Sequence, residues 1–120
     1  MRATLLLLIL ATLFACKKDS NGTSLPDPRG TWVGKWGDNF DTPNNNYHIV
    51  VKDNNVAEIN NSFADYTGTW SIDGYTFVAT YIVSAQTLTL KAPIANSHME
   101  GVWRNVSTNQ YHGTFYLDKQ

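Results

Sequence analysis

The sequence predicts an all-β domain, an antiparallel up-and-down barrel or a sandwich, carried behind a short export leader. Three observations predict it. From Gly30 onward, aromatic and β-branched residues alternate with polar ones in short runs punctuated by Asn, Asp, Gly and Ser. No stretch carries a 3.6-residue apolar repeat, so little helix is expected. A Gly-x-aromatic triplet recurs at Gly30-Thr31-Trp32, Gly68-Thr69-Trp70, Gly101-Val102-Trp103 and Gly113-Thr114-Phe115. Residues two apart share one face of a strand, and glycine permits a bend or the close approach of a neighbouring ring. A small sheet that must curl tightly needs such points.

The chain opens with a leader over residues 1–15. Arg2 is a minimal positive region, and Leu5 to Leu10 with Ala11, Leu13 and Phe14 form an apolar run that ends at Ala15. A secretory signal has this form, with a small residue before the cut. The run is short of the roughly 20 residues that span a bilayer. Residues 17–29, KKDSNGTSLPDPR, have no periodicity and one bulky apolar residue, the composition of a flexible tether. The remaining 30–120 are enough for one domain. Cys16 is the only cysteine, so no disulfide is available and the core must hold the fold. A chain of this size can do so. The formal net charge is −1 and no basic cluster follows Lys17-Lys18, which argues against nucleic acid as a partner.

Eight runs read as strands: 31–36, 47–53, 56–61, 66–72, 75–83, 87–94, 98–105 and 111–118. Two hairpins can be registered from the text. Asp73-Gly74 between alternating runs is a strong type I′ turn signal. It sets Ile72 opposite Tyr75, Trp70 opposite Phe77, Gly68 opposite Ala79 and Tyr66 opposite Tyr81. The last hairpin turns through Val106 to Gln110, with Arg104 opposite His112, Trp103 opposite Gly113 and Gly101 opposite Phe115. Each large ring then lies over a glycine across the strand. Glu100, Arg104, His112, Thr114 and Tyr116 fall on the other face.

Two segments resemble known families. Leu13-Phe14-Ala15-Cys16 resembles the lipobox of bacterial lipoproteins. In that family the Cys sulfur takes a diacylglycerol, the leader is removed and the new amino terminus is acylated. The resemblance implies lipidation at Cys16 and a membrane as partner, and several acyl chains at roughly 0.8 kcal/mol per buried CH₂ hold firmly. Cys16-Lys17-Lys18-Asp19 is similar to the start of lipoproteins of the Bacteroidetes group. That likeness implies a lipid anchor in the cell envelope, at the outer membrane, with its periplasmic and external faces both open. Gly30-Thr31-Trp32 followed by Val33-Gly34-Lys35-Trp36 resembles the first lipocalin motif, in which Gly-x-Trp opens strand one and the Trp closes the barrel base. The resemblance implies a small eight-stranded up-and-down barrel, lipocalin-like, with the polar segment Gly37 to Asn46 as the large loop over the open end. Ala64-Asp65-Tyr66 departs from that family's Thr-Asp-Tyr motif.

Chemistry follows from what is present. No Gly-x-Ser-x-Gly, His-Glu-x-x-His or phosphate loop occurs, so no enzyme is expected, and no cofactor. His98 lies opposite Asp118, and His112 opposite Arg104. A metal between the two histidines with Glu100 would meet the Arg104 cation, so no metal site is expected. Asp38, Asn39, Asp41, Asn44, Asn45 and Asn46 share a loop with oxygen donors suited to calcium. Pro43 interrupts it, and such residues commonly satisfy their own turns. The aromatic set is the remaining candidate. An eight-stranded barrel is just wide enough to be filled by side chains or to hold one small ligand. As a half-open cup, Trp36, Tyr47, Tyr66, Trp70, Phe77, Tyr81 and Trp103 would receive a small apolar ligand. Phe40 would then be the apolar contact of the lid, and Tyr47, Tyr66 and Tyr81 the polar tips. The alternative is a solidly packed barrel acting as a protein-interaction module, an inhibitor or accessory subunit of an envelope complex. Cavity volume separates the two.

Overall fold

The computed structural model describes residues 24–120, so the leader, Cys16 and the first part of the tether lie outside the described residues. Eight antiparallel strands form one closed barrel in sequence order. They are β1 (Gly30–Asp38), β2 (Asn45–Val51), β3 (Val56–Asn60), β4 (Asp65–Asp73), β5 (Thr76–Val83), β6 (Gln86–Pro93), β7 (His98–Asn105) and β8 (His112–Lys119). Every run of alternating residues is a strand. β8 returns to β1 with Trp36 opposite Phe115 and Gly34 opposite Leu117, which leaves no open sheet edge.

Alternation decides the inside. Trp32, Tyr47, Ile49, Ile59, Phe77, Ala79, Tyr81, Leu90, Met99, Trp103, Phe115 and Leu117 are buried, and their neighbours in sequence face outward. With fifteen buried apolar side chains, Val51, Ala57 and Ala92 among them, and no disulfide, burial of apolar surface carries the fold. The β7–β8 register is the predicted one, with Trp103 opposite Gly113 and Phe115 opposite Gly101. A Cβ on Gly113 would collide with the Trp103 indole and the Gly37 carbonyl oxygen. On Gly101 it would run into the carbonyl of Lys91 and come within 2.8 Å of the Ala92 Cβ. The demand at Gly101 therefore comes from β6, not from the Phe115 ring.

The β4–β5 register differs from the predicted one by two residues. Asp73 pairs with Thr76, so Ile72 opposes Phe77 and Trp70 opposes Ala79. The turn is centred on Gly74 and Tyr75, and Gly74 takes φ +65°. A type I′ turn on Asp73-Gly74 would need positive φ at both residues. Glycine at the first central position confines that demand to the residue that tolerates it. An even shift keeps every side chain on its face. Trp70 still stacks on Phe77, at 6.3 Å between centroids, and Tyr66 meets Tyr81 at 5.3 Å, as diagonal neighbours. Tyr75 instead sits on the turn, exposed.

The chain enters the barrel at the base, where residues 27–29 pack onto the sheet although their composition reads as tether. Pro28 is buried, and its carbonyl accepts a 2.7 Å hydrogen bond from the Trp32 indole N–H. Lys119 places its ammonium 5.6 Å from the Trp32 ring centroid and donates to the Asp27 carbonyl at 2.9 Å. Arg29 bonds both Asp27 and Asp53 at 2.7 Å, and its guanidinium holds the Asp27 carboxyl well below the usual carboxylate range. Trp32, fully buried, thus closes the base.

Candidate functional site

Topology gives the barrel two unlike ends. The base carries the β2–β3, β4–β5 and β6–β7 connections together with both the incoming and outgoing chain. The opposite, distal end carries the β1–β2, β3–β4, β5–β6 and β7–β8 hairpins. Of the eight aromatic candidates, Trp36, Tyr47, Tyr66, Tyr81 and Trp103 line the distal end of the interior, and Phe40 sits on its β1–β2 loop. Trp70 and Phe77 lie at the base, so the structure divides the set into two groups.

The distal rings pack on one another. Trp36 meets Trp103 edge-on at 5.7 Å and Tyr47 at 6.2 Å. Phe63, on the β3–β4 loop, covers Trp36 from outside at 6.2 Å. What remains between them is a void of about 60 Å³ lined by Trp36, Tyr47, Asn61, Tyr81, Leu88 and Trp103. That is room for about two waters.

Polar atoms around the void bond to the protein itself. The Tyr47 and Tyr81 hydroxyls meet at 3.0 Å. The Trp36 indole donates to the Asn61 carbonyl at 3.0 Å, and that of Trp103 to the Gly37 carbonyl at 2.8 Å. The Asn61 side-chain oxygen accepts from the backbone N–H groups of Phe63 and Ala64, at 3.0 and 3.1 Å. Asn61 thereby shapes the β3–β4 turn and hands its own carbonyl to Trp36. Burial raises the Tyr47 and Tyr81 hydroxyls above the ordinary tyrosine value. Both therefore stay protonated at neutral pH.

Phe40 does not cover this void. Its ring is 92% exposed and lies 6.1 Å from His112, over the outer face of β8. The β1–β2 loop places Phe40 beside the barrel wall rather than across the mouth. Phe63, Asn61 and Leu88 complete the distal site and were not among the sequence candidates. Phe63 lies in a loop, where alternation gives no facing information.

Larger depressions lie on the outside. One of about 350 Å³ crosses β2–β4 and is flanked by His48, Glu58, Asp65 and Thr67. Two more, of about 280 and 130 Å³, adjoin each other over β6–β8. His98 lies opposite Asp118, as the alternation implies. Its Nδ1 contacts Asp118 at 2.5 Å and its Nε2 contacts Glu100 at 2.8 Å, and the two carboxylates raise its pKa. Both ring nitrogens are thereby occupied. Among the described residues no three His, Cys, Asp or Glu side chains converge as metal ligands. In the loop read for calcium, Asn45 turns its side-chain amide to the Trp36 carbonyl at 3.4 Å. Comparison with protein-family models, with curated proteins and with solved structures finds no match to this chain.

Proposed function

We propose that the chain is a lipid-anchored, non-catalytic binding module of the cell envelope that uses its barrel as a solid scaffold and recognises a protein with its exterior. The small size of the space at the distal mouth of the barrel supports this most directly. About 60 Å³ remain between Trp36, Tyr47, Asn61, Tyr81, Leu88 and Trp103. Pockets for small molecules run to roughly 300–1,000 Å³. A small apolar ligand, the other occupant suggested by the aromatic face, would have to part the Trp36–Trp103 contact and strip hydrogen bonds from the Trp36 and Trp103 indoles. Both indole N–H donors there are already taken by backbone carbonyls, so an apolar ligand would break these bonds without replacing them.

The outside is different. Phe40, Phe63, Val106 and Tyr111 are exposed on the distal hairpins. Several large apolar side chains held at one end favour contact with another macromolecule. The base receives the tether that begins at the lipobox cysteine, so the distal hairpins point away from the anchored end. The absence of nucleophile, metal and phosphate motifs from the sequence supports binding without catalysis.

Native mass spectrometry on the lipidated chain purified from its own host tests this. The folded chain should carry no small molecule beyond its acyl groups, and cross-linking in the intact envelope should attach a protein to the distal hairpins. A bound molecule of a few hundred daltons that leaves only on unfolding would overturn the packed-scaffold reading.

A further inference from the structure

The two adjoining depressions over β6–β8 differ in character from the rest of the outer wall. The first is lined by Thr89, Lys91, Val102, Arg104 and Val106, and the second includes Phe40, Val102, Arg104 and His112. No Asp or Glu lines either one. The described residues carry six Lys and Arg, once Arg2, Lys17 and Lys18 are set aside, against nine Asp and Glu without Asp19. Two of those six cations therefore share one groove on a surface that is otherwise mostly acidic.

Their placement is specific. Thr89 pairs with Arg104 and Lys91 with Val102, so the two cations sit diagonally across the β6–β7 pair on its outer face. Diagonal neighbours on a sheet interact, and sheets commonly place opposite charges there. Here the directly opposed positions hold Thr and Val, and neither Lys91 nor Arg104 forms an ion pair among the described residues. Val102 between them is 54% exposed, and Phe40 and Val106 are exposed at the groove's distal side. A closed barrel has no free strand edge for β-addition, so recognition must run through side chains.

We infer that this groove receives an acidic protein segment, with one bulky apolar side chain against Val102, Val106 and Phe40 and carboxylates on Arg104 and Lys91. This deepens the proposed function and rests on it. Arg104 matches a carboxylate with two parallel N–H donors, and Lys91 adds a point charge to the same site. The groove runs along the side wall from Lys91 to Phe40 and Val106 on the distal hairpins, which favours a protein segment laid along the barrel over the surface of the anchoring membrane.

The test uses the full lipidated chain in detergent micelles and a short fluorescent peptide with a Glu-Leu-Glu centre. Anisotropy should rise with this peptide, and much less with peptides centred on Lys-Leu-Lys or Glu-Ser-Glu. Arg104→Glu combined with Lys91→Glu should weaken binding by about tenfold or more, the equivalent of about 1.4 kcal/mol. Val102→Ser should also weaken it, whereas Lys35→Glu, a charge reversal on the outer face of β1, should not. All these positions are on the outer face, and circular dichroism checks that the variants fold. Equal binding of the lysine peptide, or indifference to the double reversal, overturns the inference. So does preferential binding of phosphatidylglycerol vesicles through the same two cations. A peptide failure with no retained small molecule ends only the groove assignment, whereas a retained small molecule ends the proposed function beneath it.

Discussion

The hydroxyls of Tyr47 on β2 and Tyr81 on β5 meet at 3.0 Å across the barrel interior, between strands that are not neighbours in the sheet. This bond joins opposite walls where backbone ladders cannot. Removing one hydroxyl leaves the other buried without that partner, which costs about 1–3 kcal/mol. Tyr47→Phe and Tyr81→Phe should each destabilise the domain in urea unfolding. The double variant should lose less than the sum, with a coupling of about 1 kcal/mol. Strict additivity would mean that the hydroxyls do not bond in solution.

Gly113 tests how tightly the barrel is wound. An added Cβ would meet the Trp103 indole on one side and backbone carbonyl oxygen on the other, and only the indole can move. Gly113→Ala should cost about 1–3 kcal/mol, the range for overpacking. It should also change the near-ultraviolet circular dichroism of Trp103. Gly74 has open space around its Cβ position but φ +65°, so Gly74→Asn should be tolerated better than Gly74→Val. If Gly113→Ala melts with the wild type, the close approach is absent in solution.

Much of this was legible in the sequence, for reasons that particular residues make plain. Alternation identified all eight strands, because a half-buried strand must place apolar residues two apart. The β7–β8 register was legible because Gly101 and Gly113 each lie opposite a large ring, so one pairing satisfies both. Asp73-Gly74 was ambiguous by two residues: both registers put Trp70 and Phe77 inside, and only the φ requirement at the turn separates them. Whether rings on one face leave a cavity depends on tilt and interlock, which alternation does not encode, so the void between Trp36 and Trp103 could not be sized. The docking of Pro28 was hidden by its tether-like surroundings. The one clue was Trp32, since a buried indole N–H requires an acceptor.

His98 gives the domain a pH-dependent element. Asp118 and Glu100 raise its pKa, so the folded state holds the proton more tightly than the unfolded chain. The resulting stabilisation is fully present below the unfolded value of about 6.5 and is lost as pH rises through the higher folded value. The pair is half exposed and screened by solvent, so the effect should be about a few tenths of a kcal/mol. Urea midpoints at about pH 5.5 and about pH 8.5 measure it. The advantage of the wild type over His98→Gln should shrink at the higher pH, and an advantage that grows would show the opposite linkage.

Filling the distal void separates scaffold from cup most sharply. Leu88 lines the void and is only partly buried, so a larger side chain there can extend into it with little displacement of the wall. Leu88→Phe should change stability by less than about 1 kcal/mol in either direction, because added packing and local strain nearly offset each other. If recognition lies on the exterior, this variant should bind the proposed protein partner with unchanged affinity, because neither the groove over β6–β7 nor the exposed distal rings are altered. A cup that opens to admit an apolar molecule would instead lose its ligand, since the same side chain would fill the space between Trp36 and Trp103. Thermal unfolding and cross-linking yield, measured on the same preparation, distinguish these outcomes. Loss of cross-linking with undiminished stability would place recognition inside the barrel.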